Sequence, residues 1–213
     1  MKKNILASAL LAVSVLATSS KLSAQADPLV AGKNIAVTNT DLGKVRGYIH
    51  NGTIIYKGIP YAQAERFMPP TRPKAWNDLR SSTAYGPVCP TDPTTTVLDP
   101  LEFAFNHNWG YSNENCQTLN IWSQGINDGK KRPVMVWLHG GGFSAGSAIE
   151  LPSYEGENLS KKGDVVVVSI NHRLNVLGFL DLSSFGEKYK KSANVGMMDI
   201  VMALEWVKNN ISN

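Results

Sequence analysis

Two short stretches of the chain are apolar with almost no polar alternation: Val134-Met135-Val136-Trp137-Leu138 and Val165-Val166-Val167-Val168-Ser169-Ile170. Runs of this length fit strands buried on both faces, as in a parallel sheet. Upstream, residues 35–38, 44–49, 53–57 and 119–122 read as further short strands. Asn51-Gly52 lies between two of them and is a strong hairpin signal, because both residues tolerate positive φ. Residues 58–78, rich in Pro, Gly and aromatics, read as an ordered loop, and residues 146–162 as loop and short helix. Residues 194–211 predict a helix whose apolar positions, Val195, Met198, Val201, Met202, Leu204, Trp206 and Val207, run nearly all round it. Such a helix needs cover on most sides. A hairpin followed by strand, loop or helix, strand and helix predicts an α/β domain with a mixed sheet.

The first apolar run ends in His139-Gly140-Gly141-Gly142-Phe143. Consecutive glycines can turn sharply and bring bare N–H groups close to a ligand. Behind a buried strand, that suits an oxyanion hole, where preorganised donors meet negative charge developing on a substrate oxygen. The plainer reading is a glycine-rich turn that only leaves the sheet.

Composition changes the picture at the N-terminus. Lys2 and Lys3 precede a short apolar stretch, residues 5–17, and a small-residue exit at Leu22-Ser23-Ala24-Gln25-Ala26. This is the pattern of a secretory signal peptide over residues 1–26, cleaved after Ala24 or Ala26, and the apolar stretch is too short for a membrane span. Of the 21 Lys and Arg residues, Lys2, Lys3 and Lys21 lie in this acid-free leader. The remainder carries 18 basic against 17 acidic residues, a net +1 in place of the formal +4. The basic balance therefore belongs to export and makes no case for nucleic acid or a lasting membrane anchor. Lys130-Lys131-Arg132 and residues 188–191 read as solvated, and His50 and His107 as surface or loop histidines. In an exported chain Cys89 and Cys116 default to a disulfide, worth on the order of 3 kcal/mol through the unfolded state, with two free thiols as the alternative. The loop between them holds Pro90, Pro93 and Pro100. Neither cysteine has a ligand-spaced partner, so no metal is implied.

Seven stretches in order give the chain a resemblance to the type B carboxylesterase/cholinesterase family of α/β-hydrolases. They begin with Gly43-Lys44-Val45-Arg46-Gly47, then Tyr56-Lys57-Gly58-Ile59-Pro60-Tyr61-Ala62, then Arg66-Phe67 with Pro69-Pro70. Asn113-Glu114-Asn115-Cys116 with Leu119-Asn120-Ile121-Trp122 follows, then His139 to Phe143. The last two are Asn171-His172-Arg173-Leu174 with Leu177-Gly178-Phe179, and Asn194-x-Gly196-x-x-Asp199 with Ala203-Leu204-x-Trp206-Val207.

The resemblance implies the N-terminal portion of an α/β-hydrolase fold, in which an antiparallel hairpin leads into a mixed, mainly parallel central sheet. It implies oxyanion-hole amides at Gly141 and Gly142, in a loop supported by His139 and Gly140. It also implies the family's first disulfide at Cys89–Cys116 and a structural ion pair of Arg66 with Glu114. No cofactor is implied, and the substrate class is a small carboxylic ester. In the family, the strand with the G-E-S-A-G nucleophile elbow would begin after the Trp206 helix, its serine roughly a dozen residues beyond Asn213. Residues 27–213 thus correspond to the N-terminal part of the domain, stopping before the elbow, with no member of the triad at a family position. The family's elbow strand pairs with residues 134–138. Without it that strand is a long unpaired edge, an aggregation hazard.

Gly142-Phe143-Ser144-Ala145-Gly146 also fits G-x-S-x-G, but an elbow serine stands on a tight turn between strand and helix. Here three glycines precede it and no clear helix follows, so Ser144 reads as a loop serine. His172, the only later histidine, falls in a structural motif. Cholinesterases carry a choline-stacking tryptophan ten residues before the second cysteine. Asn106 stands there and Trp109 lies three residues on, which argues against a quaternary-ammonium site. Two functions from different classes follow: an exported serine esterase, or a non-catalytic esterase-like binding protein. An intact glycine loop favours the first, since a binding module has no use for an oxyanion hole.

Overall fold

A computed structural model describes residues 28–91 and 106–212, so the leader, residues 92–105 with Pro93 and Pro100, and Asn213 lie outside the described residues. The chain starts with β1 (Leu29–Val30), β2 (Val37–Thr40), β3 (Gly43–Arg46), β4 (Tyr48–His50) and β5 (Thr53–Pro60). Asn51 and Gly52 take φ of +48° and +81° between β4 and β5, the backbone of a tight primed hairpin turn. The single strand expected over residues 44–49 is instead broken at Gly47. The Gly47 N–H donates to Ala36 O at 2.9 Å, which keeps β3 beside β2, while Tyr48 pairs with Ile55 in the other sheet. β6 (Arg80–Ser81) completes a small sheet of order β2-β3-β6.

The main sheet adds β7 (Thr118–Ser123), β8 (Val134–Leu138) and β9 (Val166–Ile170), in the order β1-β4-β5-β7-β9-β8. It is mixed, and the hairpin leads into it. Within this sheet the parallel character of the described residues is confined to β8–β9, with Val134 opposite Val166 and Leu138 opposite Ile170; its other four pairings are antiparallel. α1 (Glu157–Gly163) crosses one face, where Trp122, Ile55 and Val167 cluster. After α2 (Asn175–Phe179), α3 (Val195–Asn210) lays Ile200, Ala203, Trp206 and Val207 on the other face against Ile59, Ile121, Val168 and Ile170.

The β7 and β9 strands are buried throughout, β9 as its apolar run requires and β7 with Thr118, Asn120 and Ser123 buried among its apolar residues. β8 is not. The reading of residues 134–138 as buried on both faces is corrected: β8 is the outermost strand, and Trp137 and Leu138 remain 44% and 47% exposed. The same holds along one side of α3, where Met197, Val201 and Leu204 are exposed. Under the lower end of β8 is a cavity of about 360 Å³ lined in part by Tyr56 and Trp206; the Tyr56 hydroxyl and the Trp206 indole N–H are buried with no hydrogen-bond partner among the described residues. No helix of the described residues is long and apolar enough to cross a membrane.

Candidate active site

β8 delivers the chain to His139, and Gly140, Gly141, Gly142 and Phe143 follow as an exposed loop. Gly141, Gly142 and Phe143 have φ of +113°, +61° and +62°, three successive residues in the region that favours glycine. A Cβ on Gly141 would stand 2.1 Å from Ala145 O, so no other residue fits there, whereas one on Gly142 would meet nothing within 4 Å. Ser144 and Ala145 close the turn by donating their N–H groups to Gly141 O at 3.0 and 3.2 Å. Among the described residues no acceptor takes the N–H of Gly141 or Gly142. Adjacent uncommitted amides on a tight turn can receive a developing negative charge.

The support is aromatic and nearly neutral. His139 Nδ1 donates to Gly140 O at 2.8 Å; a carbonyl only accepts, so this nitrogen carries the proton. The His139 ring stacks on His172 with centroids 5.0 Å apart. Phe143 leans on His172 and on Phe179, its centroid 6.1 and 5.2 Å away. Burial lowers the pKa of both histidines, and the neighbouring His139 charge helps to hold His172 down to about 4. The stack is therefore built of neutral rings at neutral pH.

Just beyond His172 the segment is locked by a buried ion pair. Arg173 Nε and Nη2 donate to Asp199 Oδ2 and Oδ1 at 2.8 and 2.7 Å, and Nη1 donates to Met68 O at 2.7 Å. Both residues are almost fully buried. Both lie in motifs quoted above, but 26 positions apart, and nothing in the sequence pairs them.

The remaining residues singled out by the sequence fall around this centre. Cys89 and Cys116 form a buried disulfide with Cα atoms 5.0 Å apart. Arg66 Nε donates to both Glu114 oxygens at 3.1 and 3.0 Å in an exposed pair, and Arg66 in turn lowers the Glu114 pKa. Ser144 sits in the loop with Oγ 3.4 Å from Gly142 O, and the next helical turn begins only at Pro152. Trp109 is partly exposed and stacks on His107. His107 lies in a loop, its side chain turned inward with Nε2 3.8 Å from Glu150 Oε1. One reading needs correction: the Arg132 side chain is covered between Asp128 and Asp164 rather than solvated. His50 is half-buried against Glu157, 2.6 Å away. Among the described residues no group of three or more His, Cys, Asp or Glu could hold a metal.

The profile of the Carboxylesterase family matches residues 34–213. The chain belongs to the carboxylesterase family. It is 41% identical over 180 residues to a para-nitrobenzyl esterase of Bacillus subtilis (strain 168), which spans 83% of this chain and 35% of that protein. It is 36% identical to a phenmedipham hydrolase of Pseudarthrobacter oxydans, over 83% of this chain and 34% of the relative. Among solved structures, an esterase from the anaerobe Clostridium hathewayi, which can hydrolyse aliphatic aromatic polyesters, superposes with a TM-score of 0.83. That match has 47% identity over 88% of this chain and 37% of the other. A Geobacillus stearothermophilus carboxylesterase superposes at 0.71 with 45% identity, over 83% of this chain and 34% of the other. This carboxylesterase chain thus has the α/β-hydrolase fold and spans about a third of the length of the relatives it matches.

Proposed function

We propose that the protein is an exported serine carboxylesterase to which these residues contribute the oxyanion loop. The observation that carries the reading is the run of left-handed backbone at Gly141, Gly142 and Phe143, which leaves two neighbouring amides uncommitted at the end of β8. A serine on an elbow beyond Asn213 adds through Oγ to the ester carbonyl carbon while a histidine takes its proton. The carbonyl π pair moves onto oxygen, where the Gly141 and Gly142 N–H groups stabilise it. The histidine then protonates the departing alcohol as its C–O bond breaks, and water hydrolyses the acyl-serine by the same steps. One such donor is typically worth about 2.7–4 kcal/mol of transition-state stabilisation.

Three features support further polypeptide beyond Asn213: the exposed apolar edge of β8, the exposed side of α3, and the cavity beside them, lined by Tyr56 and Trp206, whose buried polar atoms have no partner among the described residues. The disulfide supports export, since such bonds persist in oxidising compartments. Small carboxylic esters are the substrate class, in keeping with the para-nitrobenzyl ester hydrolysis that the name of one relative describes. The test is hydrolysis of p-nitrophenyl acetate and butyrate by the protein as its gene encodes it. A burst of p-nitrophenol followed by steady turnover is expected. Binding of esters without turnover would overturn the enzymatic reading in favour of a binding protein.

A further inference from the structure

Between β9 and α2 the chain carries two asparagines, Asn171 and Asn175, four positions apart and with Leu174 between them. Each reaches in two directions. Asn171 Nδ2 donates to Pro87 O at 3.1 Å, and its Oδ1 accepts the Ala148 N–H at 2.8 Å. Asn175 Nδ2 donates to Pro90 O at 2.9 Å, and its backbone N–H donates to Phe143 O at 2.7 Å. The first contact of each pair lands on a carbonyl flanking Cys89. The second lands on the glycine loop or the turn that follows it. Leu174, almost fully buried, packs directly on Cys89 and Cys116. Asn175 also holds φ at +45°, a left-handed conformation that asparagine tolerates better than most residues, and its Oδ1 accepts the Leu177 N–H at 3.3 Å.

We propose that Asn171 and Asn175 are positioning residues that clamp the disulfide-bearing segment to the glycine loop, so that the Cys89–Cys116 crosslink helps to fix the Gly141 and Gly142 amides. The physical reason is local. Phe143 is the last of three left-handed residues, and its carbonyl is held by Asn175 while its ring is wedged against His172 and Phe179. Rotation of that peptide unit would re-aim the amides before it, and preorganised donors lose their value when they must be re-aimed during reaction. The crosslink closes a separation of 27 residues and gives Pro87 and Pro90 a fixed backbone from which the asparagines hang.

The inference rests on the oxyanion reading, so its test uses a second readout that does not need catalysis. In the protein as its gene encodes it, Asn175→Gly keeps the left-handed backbone and its N–H but removes the amide to Pro90. Asn175→Asp keeps the shape and the bond from Leu177 while losing the same donor. A Cys89→Ser/Cys116→Ser variant removes the crosslink. Each is expected to lower kcat about five- to tenfold with KM within about twofold, the loss of roughly one hydrogen bond in the transition state. Amide exchange across residues 139–146 should speed up in step. Combining Asn175→Gly with the cysteine substitutions should cost no more than the larger single effect, because both break the same link. Losses that multiply independently would overturn the clamp. So would unchanged loop exchange in folded Asn175→Gly and Asn175→Asp. If the protein turns over no ester, the exchange data alone decide the clamp, and the oxyanion reading fails separately.

Discussion

The imidazoles of His139 and His172 lie within 13° of parallel, with ring centroids 5.0 Å apart, at the foot of the glycine loop. Each turns Nδ1 to a backbone carbonyl, Gly140 O and Arg173 O respectively, so neither can gain a proton there. Protonation must come at Nε2 and places a charge in a buried stack. Burial first, then the His139 charge, hold the His172 pKa at about 4, against 6.5 in an open chain. The folded state then binds fewer protons than the unfolded state between those values. The contribution is fully present above about pH 6.5 and is lost as pH falls toward 4. It amounts to roughly 3 kcal/mol, and His172→Gln should flatten that part of the stability–pH curve. Urea unfolding of both proteins at pH 7 and pH 4.5 measures it; equal pH slopes would contradict it.

The glycine loop makes two substitutions unequal. Gly142→Ala places its Cβ in open space, so the cost is the left-handed backbone alone, about 1 kcal/mol. Gly141→Ala adds a collision with Ala145 O and should cost about 3 kcal/mol or more. Unfolding midpoints rank the two, and equal losses would mean that the loop backbone is not held as described.

Asp199→Ala leaves the buried Arg173 guanidinium without its carboxylate and should destabilise the fold by about 3–5 kcal/mol. Glu114→Gln weakens an ion pair of similar geometry at the surface, where solvent screens both partners, and should leave the melting temperature nearly unchanged. Thermal melts of the two variants side by side separate burial from geometry as the source of strength.

If a further strand covers β8, its outward amides are protected. Hydrogen exchange in the protein as its gene encodes it should then be slow across Val134–Leu138, comparable with β9. Exchange as fast as that of the surface loops would make β8 a true edge and remove the support it lends to a downstream elbow strand.

The parts of this fold that were legible in the sequence are those decided by neighbours along the chain. The Asn51-Gly52 turn fixes its hairpin through its own backbone angles, and the run over β9 is apolar because both its faces are covered. The Val134–Leu138 run misled for a related reason. Its composition answers to everything that covers the strand, while the described residues pair one edge only, through β9, and leave both faces partly exposed. Gly47 divides one expected strand into two sheets through a bond to Ala36 that no local pattern announces. The glycine loop was visible as a motif, but its supports were not. The His139–His172 stack, the Arg173–Asp199 pair and the asparagine clamp each join positions 23 or more apart, and only tertiary packing brings them together. Arg132 reads as solvated from the sequence because a charged residue gives no sign of the carboxylates, Asp128 and Asp164, that fold over it.

In the function proposed here, the Gly141–Gly142 loop serves a serine nucleophile other than Ser144. Treating the protein as its gene encodes it with a fluorophosphonate, then mapping the modified peptide by mass spectrometry, tests this most directly. One phosphonylated serine is expected, in a G-x-S-x-G peptide beyond Asn213, with ester hydrolysis lost in proportion to labelling. Labelling at Ser144, or hydrolysis that survives complete labelling, would contradict it.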